Sequence, residues 1–494
     1  MQKAFILLHP YSMKNHKAMG RINRTKRIAE HVTITGIADK GKAIGRNTSG
    51  EVFFVEGAVP GDIVHVIVLK KKSSYSEGVI EEFLVKSSIR TTAPCSHFGV
   101  CGGCKWQHVL YDGQLYHKQI LVVDALTRIG GVDPTIIENI IPSQHIFEYR
   151  NKMEYSFSNQ HWLTAEEISK GEKFERTPAV GLHPPGSFDK VVDIQSCMLQ
   201  HDMGNQIRNH VRKFALMNQW KFYDSRTHSG LLRNMFFRNN RNNEWMINIV
   251  FGKDHSKEEI QALLKNLITT FPVIKSLYYT INTKKNDSIF DLKPVLFAGE
   301  PFLTERLGKI MYKIGPKSFF QTNTIQAEKL YDKVAEYAGL TGSEKVYDLY
   351  TGIGSIALYL SHQCSKVVGI EEVEEAVEDA RENCAWNGIA NATFYAGDVK
   401  AWLNDEFIAR HGKPDVLITD PPRAGMHEEV VKSILHIAPE KLIYISCNPS
   451  TQARDIQWLS QQYIPVKICP MDMFPHTHHV ESIALLKRKG SVEH

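Results

Sequence analysis

The C-terminal third of the chain holds residues whose types and spacing could do chemistry. In Ile443-Tyr444-Ile445-Ser446-Cys447-Asn448-Pro449 an apolar strand ends on a thiol, and a helix over 450–459 follows. The positive end of a helix lowers the pKa of a nearby thiol and favours the nucleophilic thiolate. The same pattern also describes a buried cysteine at a strand end. Upstream, Asp348-Leu349-Tyr350-Thr351-Gly352-Ile353-Gly354 joins a strand to a helix. Glycines there let the backbone approach a ligand, which the free N–H groups of the helix would face. Glu371 ends the next strand, 19 residues after Gly352, where a carboxylate can accept both hydroxyls of a ribose. Asp398 follows the third strand, placed to accept from an adenine amine, and Asp420-Pro421-Pro422 follows the fourth. Polar groups at several strand ends along one sheet edge are where open α/β sheets bind ligands. Jointly they point to an adenosine-containing cofactor. A nicotinamide dinucleotide is the competing reading, opposed by the missing third glycine of its fingerprint and by Asp-Pro-Pro.

A second constellation lies nearer the N-terminus. Of eight cysteines, Cys95, Cys101 and Cys104 form C-x5-C-x2-C, a clustering that points to metal or cluster chemistry. Cys364, Cys384 and Cys469 read as packing residues.

These residues need elements to position them. Alternating residues over 31–36, 51–56, 62–68 and 76–85, punctuated by turns, predict a small closed barrel over 29–90, a form that removes sheet edges. Lys70-Lys71-Lys72 falls at a strand end. A helix is expected over 114–129. Strands at 152–157, 191–194, 232–238, 245–250 and 276–281, with helices at 201–218 and 257–269, make 91–322 a central α+β domain. From residue 323 short apolar strands alternate with helices, the rhythm of a doubly wound parallel sheet. Segments 465–472 and 479–487 close it as a hairpin, so 323–494 forms the third folded unit. Residues 1–28 read as a basic, flexible lead-in.

The 494 residues are 43% hydrophobic and 23% charged, a soluble globular composition that excludes fibrous and disordered classes. No apolar run approaches the ~20 residues of a membrane span. Ala4–Leu8 is too short for a signal peptide core, so a cytoplasmic protein is expected. Net charge is +5, yet residues 1–50 hold ten Lys/Arg against two Asp/Glu. A basic end on a near-neutral body fits a phosphate-rich partner as well as a solvated tail.

Asp420-Pro421-Pro422-Arg423-Ala424-Gly425 with Ser446-Cys447-Asn448-Pro449 resembles the RNA 5-methyluridine (uracil-C5) methyltransferase family. Ser318-Phe319-Phe320-Gln321-Thr322-Asn323 and His479-Val480-Glu481-Ser482 match it too, and the resemblance spans residues 29–487. It implies a multidomain fold: a TRAM/OB-like RNA-binding barrel, a central domain with a four-cysteine cluster, and a Rossmann-like seven-stranded methyltransferase domain. By resemblance Cys447 is the nucleophile and Glu481 the base, with His476, His478 and His479 as alternative bases. S-adenosylmethionine would be held by Gln321, Tyr350, Ser355, Glu371, Asp398 and Asp420; family members often have Asn where Ser355 stands. Cys197 would join Cys95, Cys101 and Cys104. Four thiolates suit either zinc or a [4Fe–4S] cluster, and the resemblance favours the cluster, in a structural or RNA-orienting role.

The chemistry requires these residue types. Uracil C5 is a poor nucleophile; a thiolate adding to C6 creates an enolate that makes C5 reactive, and a base must later remove the C5 proton. Such chemistry needs an unstacked base. The resemblance implies a monomeric enzyme acting on 23S ribosomal RNA. A transfer-RNA enzyme of the same chemistry and a catalytically idle RNA-binding assembly factor are the alternatives. Lys221–Arg241, with Arg226, Arg233 and Arg238 interleaved with Phe222, Tyr223, Phe236 and Phe237, is expected to contribute an RNA surface, although alternation assigns about half of these aromatics to core.

Overall fold

The computed structural model describes residues 28–38, 41–169 and 177–490. The basic lead-in, apart from Ile28, lies outside the described residues.

Strands β1 (Ile28–Ile37), β2 (Ala43–Arg46), β3 (Val52–Glu56), β4 (Ile63–Lys71) and β5 (Ser76–Val85) close into a barrel in the order β1-β2-β3-β5-β4. Their alternation puts Val32, Ile34, Phe53, Val55, Val64 and Val66 inside, each almost wholly buried. β2 is an additional strand relative to the sequence expectation. Its Gly45 is needed because a Cβ there would lie 2.4 Å from the Thr33 carbonyl oxygen.

Helix α1 (Tyr111–Arg128) follows. The central sheet then runs β12-β11-β10-β9-β6-β7-β8. It contains β6 (Lys152–Ser158), β7 (Ala179–Leu182), β8 (Val192–Asp193), β9 (Leu232–Asn239), β10 (Trp245–Phe251), β11 (Ile274–Ile281) and β12 (Val295–Gly299). Helices α2 (Ala165–Ser169), α3 (Asp202–Met217) and α4 (Lys257–Thr270) lie between these strands in the chain. Ser256 and Glu259 form a reciprocal cap at the start of α4. Residues of α3 and α4, including Val211 and Leu263, bury one face of the sheet with Trp245 and Ile247.

A hairpin of β13 (Leu303–Leu307) and β14 (Ile310–Ile314) leads to the last unit. There α5 (Thr324–Ala338), β15 (Lys345–Leu349), α6 (Ser355–Leu360), β16 (Lys366–Glu371), α7 (Glu374–Trp386), β17 (Ala392–Ala396), α8 (Val399–Trp402), α9 (Asp405–His411), β18 (Val416–Thr419), α10 (Glu428–Ile437), β19 (Lys441–Ser446), α11 (Pro449–Leu459), β20 (Tyr463–Met471) and β21 (Glu481–Arg488) succeed one another. The sheet order is β17-β16-β15-β18-β19-β21-β20, with β21 antiparallel to its neighbours and the other pairings on the β17 side parallel. Strand order reverses between β15 and β18, which opens the ligand crevice at their carboxyl ends. Two segments that the sequence groups with the central unit pack here instead. Tyr312 and Ile314 join one apolar layer, and Val122 and Leu126 of α1 join the other, beside Ala453 and Ile456. Among the described residues no helix is long and apolar enough to cross a membrane.

Candidate active site

The loop after β15 lies in this crevice. Tyr350 (φ 61°), Gly352 (φ 56°) and Gly354 (φ 77°) all adopt left-handed backbone. A Cβ on Gly354 would press against Phe394 at 3.0 Å, whereas one on Gly352 would meet nothing within 4 Å. The first glycine therefore faces open space and the second permits close packing. Glu371 accepts from the Gly352 N–H through Oε2 and from the Val373 N–H through Oε1, each at 3.0 Å. Asp398 caps α8 by accepting from the Lys400 N–H at 3.0 Å. That bond, together with the Lys400 ammonium, keeps its carboxyl below the usual range. Ser355 opens α6 and its hydroxyl accepts from Tyr331 at 3.0 Å. Crowding pushes the Tyr350 phenol up to about 12. Asn151, just before β6, donates to the Gln321 carbonyl at 2.9 Å and so ties the central sheet to the crevice.

Asp348 is a support that the sequence reading quoted without assigning a role. Fully enclosed at the end of β15, it accepts from Thr351 Oγ1 (2.5 Å) and from the Ala357 N–H (3.1 Å). It thus pins both ends of the glycine loop, and burial pushes its carboxyl up to about 7. An acid near the end of the strand, four residues before the first glycine, was the available signal.

Across the switch point β19 delivers Cys447, and β21 begins at Glu481. Ser446 pairs with Ser482 as the last pair of the antiparallel ladder, so Cys447 and Glu481 flank the end of that ladder, near enough for the Glu481 carboxyl to act on the thiol. Gln452 of α11 donates to the Tyr444 carbonyl (2.9 Å) and the Ser482 carbonyl (3.1 Å), locking helix and both strands together. Asn448 Nδ2 donates to the Arg423 carbonyl at 3.0 Å and Thr451 Oγ1 to the same oxygen at 3.2 Å. The Asp-Pro-Pro-Arg and Ser-Cys-Asn-Pro loops are therefore stitched into one wall.

The electrostatics correct the expectation of an acidified thiol. Burial pushes Cys447 up to about 11, and the carboxyls of Glu481 and Asp420 add to the rise. The Arg423 guanidinium, hydrogen-bonded to the sulfur, opposes it without prevailing. The helix end contributes little because α11 starts two residues later, and Asn448 already caps it by accepting from the Ser450 N–H. Glu481, 7% exposed, is held well above the ordinary carboxylate range by burial and then by Asp420. Asp420 is partly open at the crevice mouth, but the protein crowded round its carboxyl still pushes it up to about 7. The Cys447 thiol and Glu481 thus share one cation, Arg423, whose importance the sequence reading missed. Two of the three alternative histidines are poor bases: burial draws His476 down to about 4 and His479 down to about 3. His479 Nδ1 accepts from Arg423 at 2.5 Å.

Cys95, Cys101, Cys104 and Cys197 converge on the lining of one cavity of about 360 Å³, together with His97, Gln107 and Arg150. Burial, then the neighbouring thiols, pushes Cys101 up to about 11 and Cys104 up to about 12 despite local hydrogen bonds. The Gly103 N–H donates to Cys101 Sγ (3.4 Å) and Gln107 Nε2 to Cys104 Sγ (3.2 Å). Among the described residues no three His, Cys, Asp or Glu side chains are arranged to hold a single metal ion.

The expected RNA surface over Lys221–Arg241 is largely interior. Arg233 donates to the carbonyls of Asn282, Lys284 and Asn286 and pairs with Asp287, and Arg238 donates to the Ser318 carbonyl. Both guanidiniums are buried, as are Phe222, Tyr223 and Phe237. Lys221, Arg226 and Arg241 reach the surface, where Arg226 pairs with Asp189 and Arg241 with Glu328.

Residues 300–489 match the family model described as tRNA (Uracil-5-)-methyltransferase, and residues 24–80 match the TRAM domain. The chain is 47% identical to an RNA methyltransferase of Bacteroides thetaiotaomicron, covering 91% of this chain and 100% of the relative. It is 46% identical to one of Porphyromonas gingivalis, covering 92% and 99%. Among solved structures it is similar to the Pyrococcus abyssi tRNA (uracil-54, C5)-methyltransferase in complex with S-adenosyl-L-homocysteine. That match has a TM-score of 0.70 at 28% identity and covers 92% of this chain and 99% of that one. The fold and crevice define an S-adenosylmethionine-dependent methyltransferase. The chain belongs to the RNA uracil-5-methyltransferase family.

Proposed function

We propose that this protein methylates C5 of a uridine by covalent catalysis, with Cys447 as nucleophile and Glu481 as base. The observation that carries the reading is their juxtaposition at the end of the β19–β21 ladder, beside Arg423 and Asp420. Cys447 Sγ adds to C6 of the flipped base, its proton passing to a neighbouring carboxylate, and Arg423 balances the thiolate. S-adenosylmethionine supplies the methyl group to C5. Glu481 then takes the C5 proton, the C5–C6 double bond re-forms and the thiolate leaves.

The crevice fits the cofactor: Gly352 leaves room for it and Glu371 presents a carboxylate for the ribose, while Gln321, Tyr350, Ser355, Asp398 and Asp420 line the remaining strand ends and loops. Glu371→Gln is expected to weaken S-adenosylhomocysteine binding about 10- to 100-fold, the worth of a charge-assisted hydrogen bond. Calorimetric titration measures this, and an unchanged Kd would remove Glu371 from the site.

The four-cysteine cavity is proposed to hold a [4Fe–4S] cluster through Cys95, Cys101, Cys104 and Cys197. Four thiolates suit a single zinc as well as a cluster; the four cysteines share the lining of one cavity, and the family resemblance favours the cluster. N–H donors at Cys101 and Cys104 suit cluster sulfurs. Anaerobically purified protein is expected to contain iron and acid-labile sulfide in near-equal amounts and to absorb broadly in the visible. Cys197→Ser is expected to lose all three signals. Colourless protein with one zinc would refute the cluster.

The substrate is proposed to be 23S ribosomal RNA, met by a monomeric, cytoplasmic enzyme whose barrel and methyltransferase units both touch the RNA. The Pyrococcus abyssi similarity favours transfer RNA as the second reading. Mapping 5-methyluridine in both RNA pools of a deletion strain decides between them.

A further inference from the structure

The loop 472–480, which joins β20 to β21 and ends against Glu481, is held almost entirely from outside its own sheet. Two α1 side chains one turn apart hold it, together with Tyr149, which donates to the Pro475 carbonyl, Asn323, which donates to the Met473 carbonyl, and Phe147, which stacks on His476. Lys118 Nζ, 0% exposed, donates to Asp472 Oδ1 (2.6 Å) and to the Phe474 carbonyl (3.0 Å). Asp472, also 0% exposed, accepts in addition from Tyr111 Oη (2.9 Å) and the Phe474 N–H (3.1 Å). Gln114 grips His476 twice. Its Oε1 accepts from the His476 N–H at 2.8 Å, and its Nε2 donates to His476 Nδ1 at 3.1 Å. Gln114 Nε2 also donates to the carbonyls of Trp106 and Val109. The N–H groups of Lys105 and Trp106, directly after Cys104, both donate to the His476 carbonyl.

His476 has φ 65°. A non-glycine residue keeps such a backbone only where its surroundings overdetermine it, and that strain gathers at functional sites. An ion pair buried to this degree is weak evidence for stability, because its desolvation cost is large. Retaining it makes better sense as a device that fixes one geometry. Its partners lie more than 350 residues apart in sequence, so it fixes one part of the chain against another.

The hydrogen bonds that secure the nucleophile come from α11 and its cap, through Gln452, Asn448 and Thr451, whereas α1 meets α11 through the apolar packing of Val122 and Leu126. We infer that Gln114 and Lys118 are positioning residues that set the loop preceding Glu481, so that this carboxylate meets the C5 proton while Cys447 is positioned separately. The inference rests on the proposed roles of Cys447 and Glu481.

It predicts a split between steps that general destabilisation would not produce. In single-turnover assays with RNA and S-adenosylmethionine, Gln114→Ala is expected to form the covalent protein–RNA adduct within about threefold of the wild-type rate. Release of methylated RNA is expected to slow by about 10- to 100-fold, the scale of a misplaced catalytic group. Adduct should then accumulate on denaturing gels. The double variant Lys118→Met/Asp472→Leu replaces the ion pair by apolar groups, a change that buried sites tolerate, and is expected to show the same split with an intact thermal melt. Glu481→Gln is the control. If it traps adduct but neither variant does, or if addition and release fall together in both, the positioning role is wrong. If Glu481→Gln itself traps nothing, the base assignment fails, and the positioning inference with it.

Discussion

Cys447→Ala is expected to lower methyl transfer at least about 10⁴-fold, the scale of losing a covalent nucleophile. It should also abolish every covalent protein–RNA species. The fold should be unaffected, since the side chain is only half-buried and β19 is held by its ladder and by Gln452. RNA carrying 5-fluorouridine at the target makes the test sharp, because fluorine cannot leave as a cation and the wild type is trapped after methyl transfer. Any adduct with the alanine variant would place the nucleophile elsewhere. The raised thiol adds a pH expectation. With Cys447 pushed up to about 11, the free thiol is protonated at neutral pH, so addition depends on a nearby carboxylate to take the proton. Asp420 sits at about 7 and Glu481 well above the ordinary range. Below these values the carboxyls are protonated and cannot accept. With Asp420 as the acceptor the rate of adduct formation should rise as pH increases through 7, and a profile already flat below pH 6 would show that Asp420 does not take the proton.

Much of this site was legible because its determinants are local. β15, β16, β18 and β19 are short apolar runs buried on both faces, and each ends in the polar or glycine residues that face the crevice. Glu371, Asp398 and Asp420 could be placed at strand ends from that rhythm, whereas Cys447 stood apart from a buried strand-end thiol only through the family resemblance of its neighbours. What could not be read depends on partners distant in sequence. Arg233 and Arg238 alternate with aromatics as a nucleic-acid surface would, yet both guanidiniums turn inward to satisfy carbonyls of the loops at 282–286 and 318. A charge count treats an arginine that closes a loop and one that meets a phosphate alike. The thiol's pKa failed for a similar reason. The helix end was visible from sequence, whereas burial and two carboxylates from other strands were not, and these outweigh it. β13 and β14 escaped notice because five residues are too few for alternation to stand out, and in β13 the charged Glu305 sits on the buried face.

Glu481→Gln is expected to do the opposite of Cys447→Ala. The amide is nearly isosteric, so the ladder with Met471 and the packing around the buried side chain survive. It cannot remove a proton, however. Addition of Cys447 and methyl transfer then proceed, and the sequence stops with C5 carrying both methyl and hydrogen. Turnover should fall about 10²- to 10⁴-fold, the range for a lost general base. A methylated protein–RNA adduct should persist through denaturation. Radiolabelled methyl groups make the stage unambiguous: label should migrate with the protein–RNA band in Glu481→Gln and with free RNA in the wild type. The neighbouring histidines provide the internal check. Drawn down to about 4 and about 3 by burial, His476 and His479 are neutral but weak acceptors at working pH, and His479 already receives a hydrogen bond from Arg423. If one of them were the base, Glu481→Gln would turn over at near wild-type rate with no labelled adduct, and replacing that histidine would reproduce the trap. Removal of the carboxylate also subtracts a group that raises the thiol. Adduct formation in Glu481→Gln should therefore retain its dependence on Asp420, rising with pH near 7. A trapped band whose formation ignores pH would leave Glu481 as the base but exclude Asp420 as the acceptor of the thiol's proton.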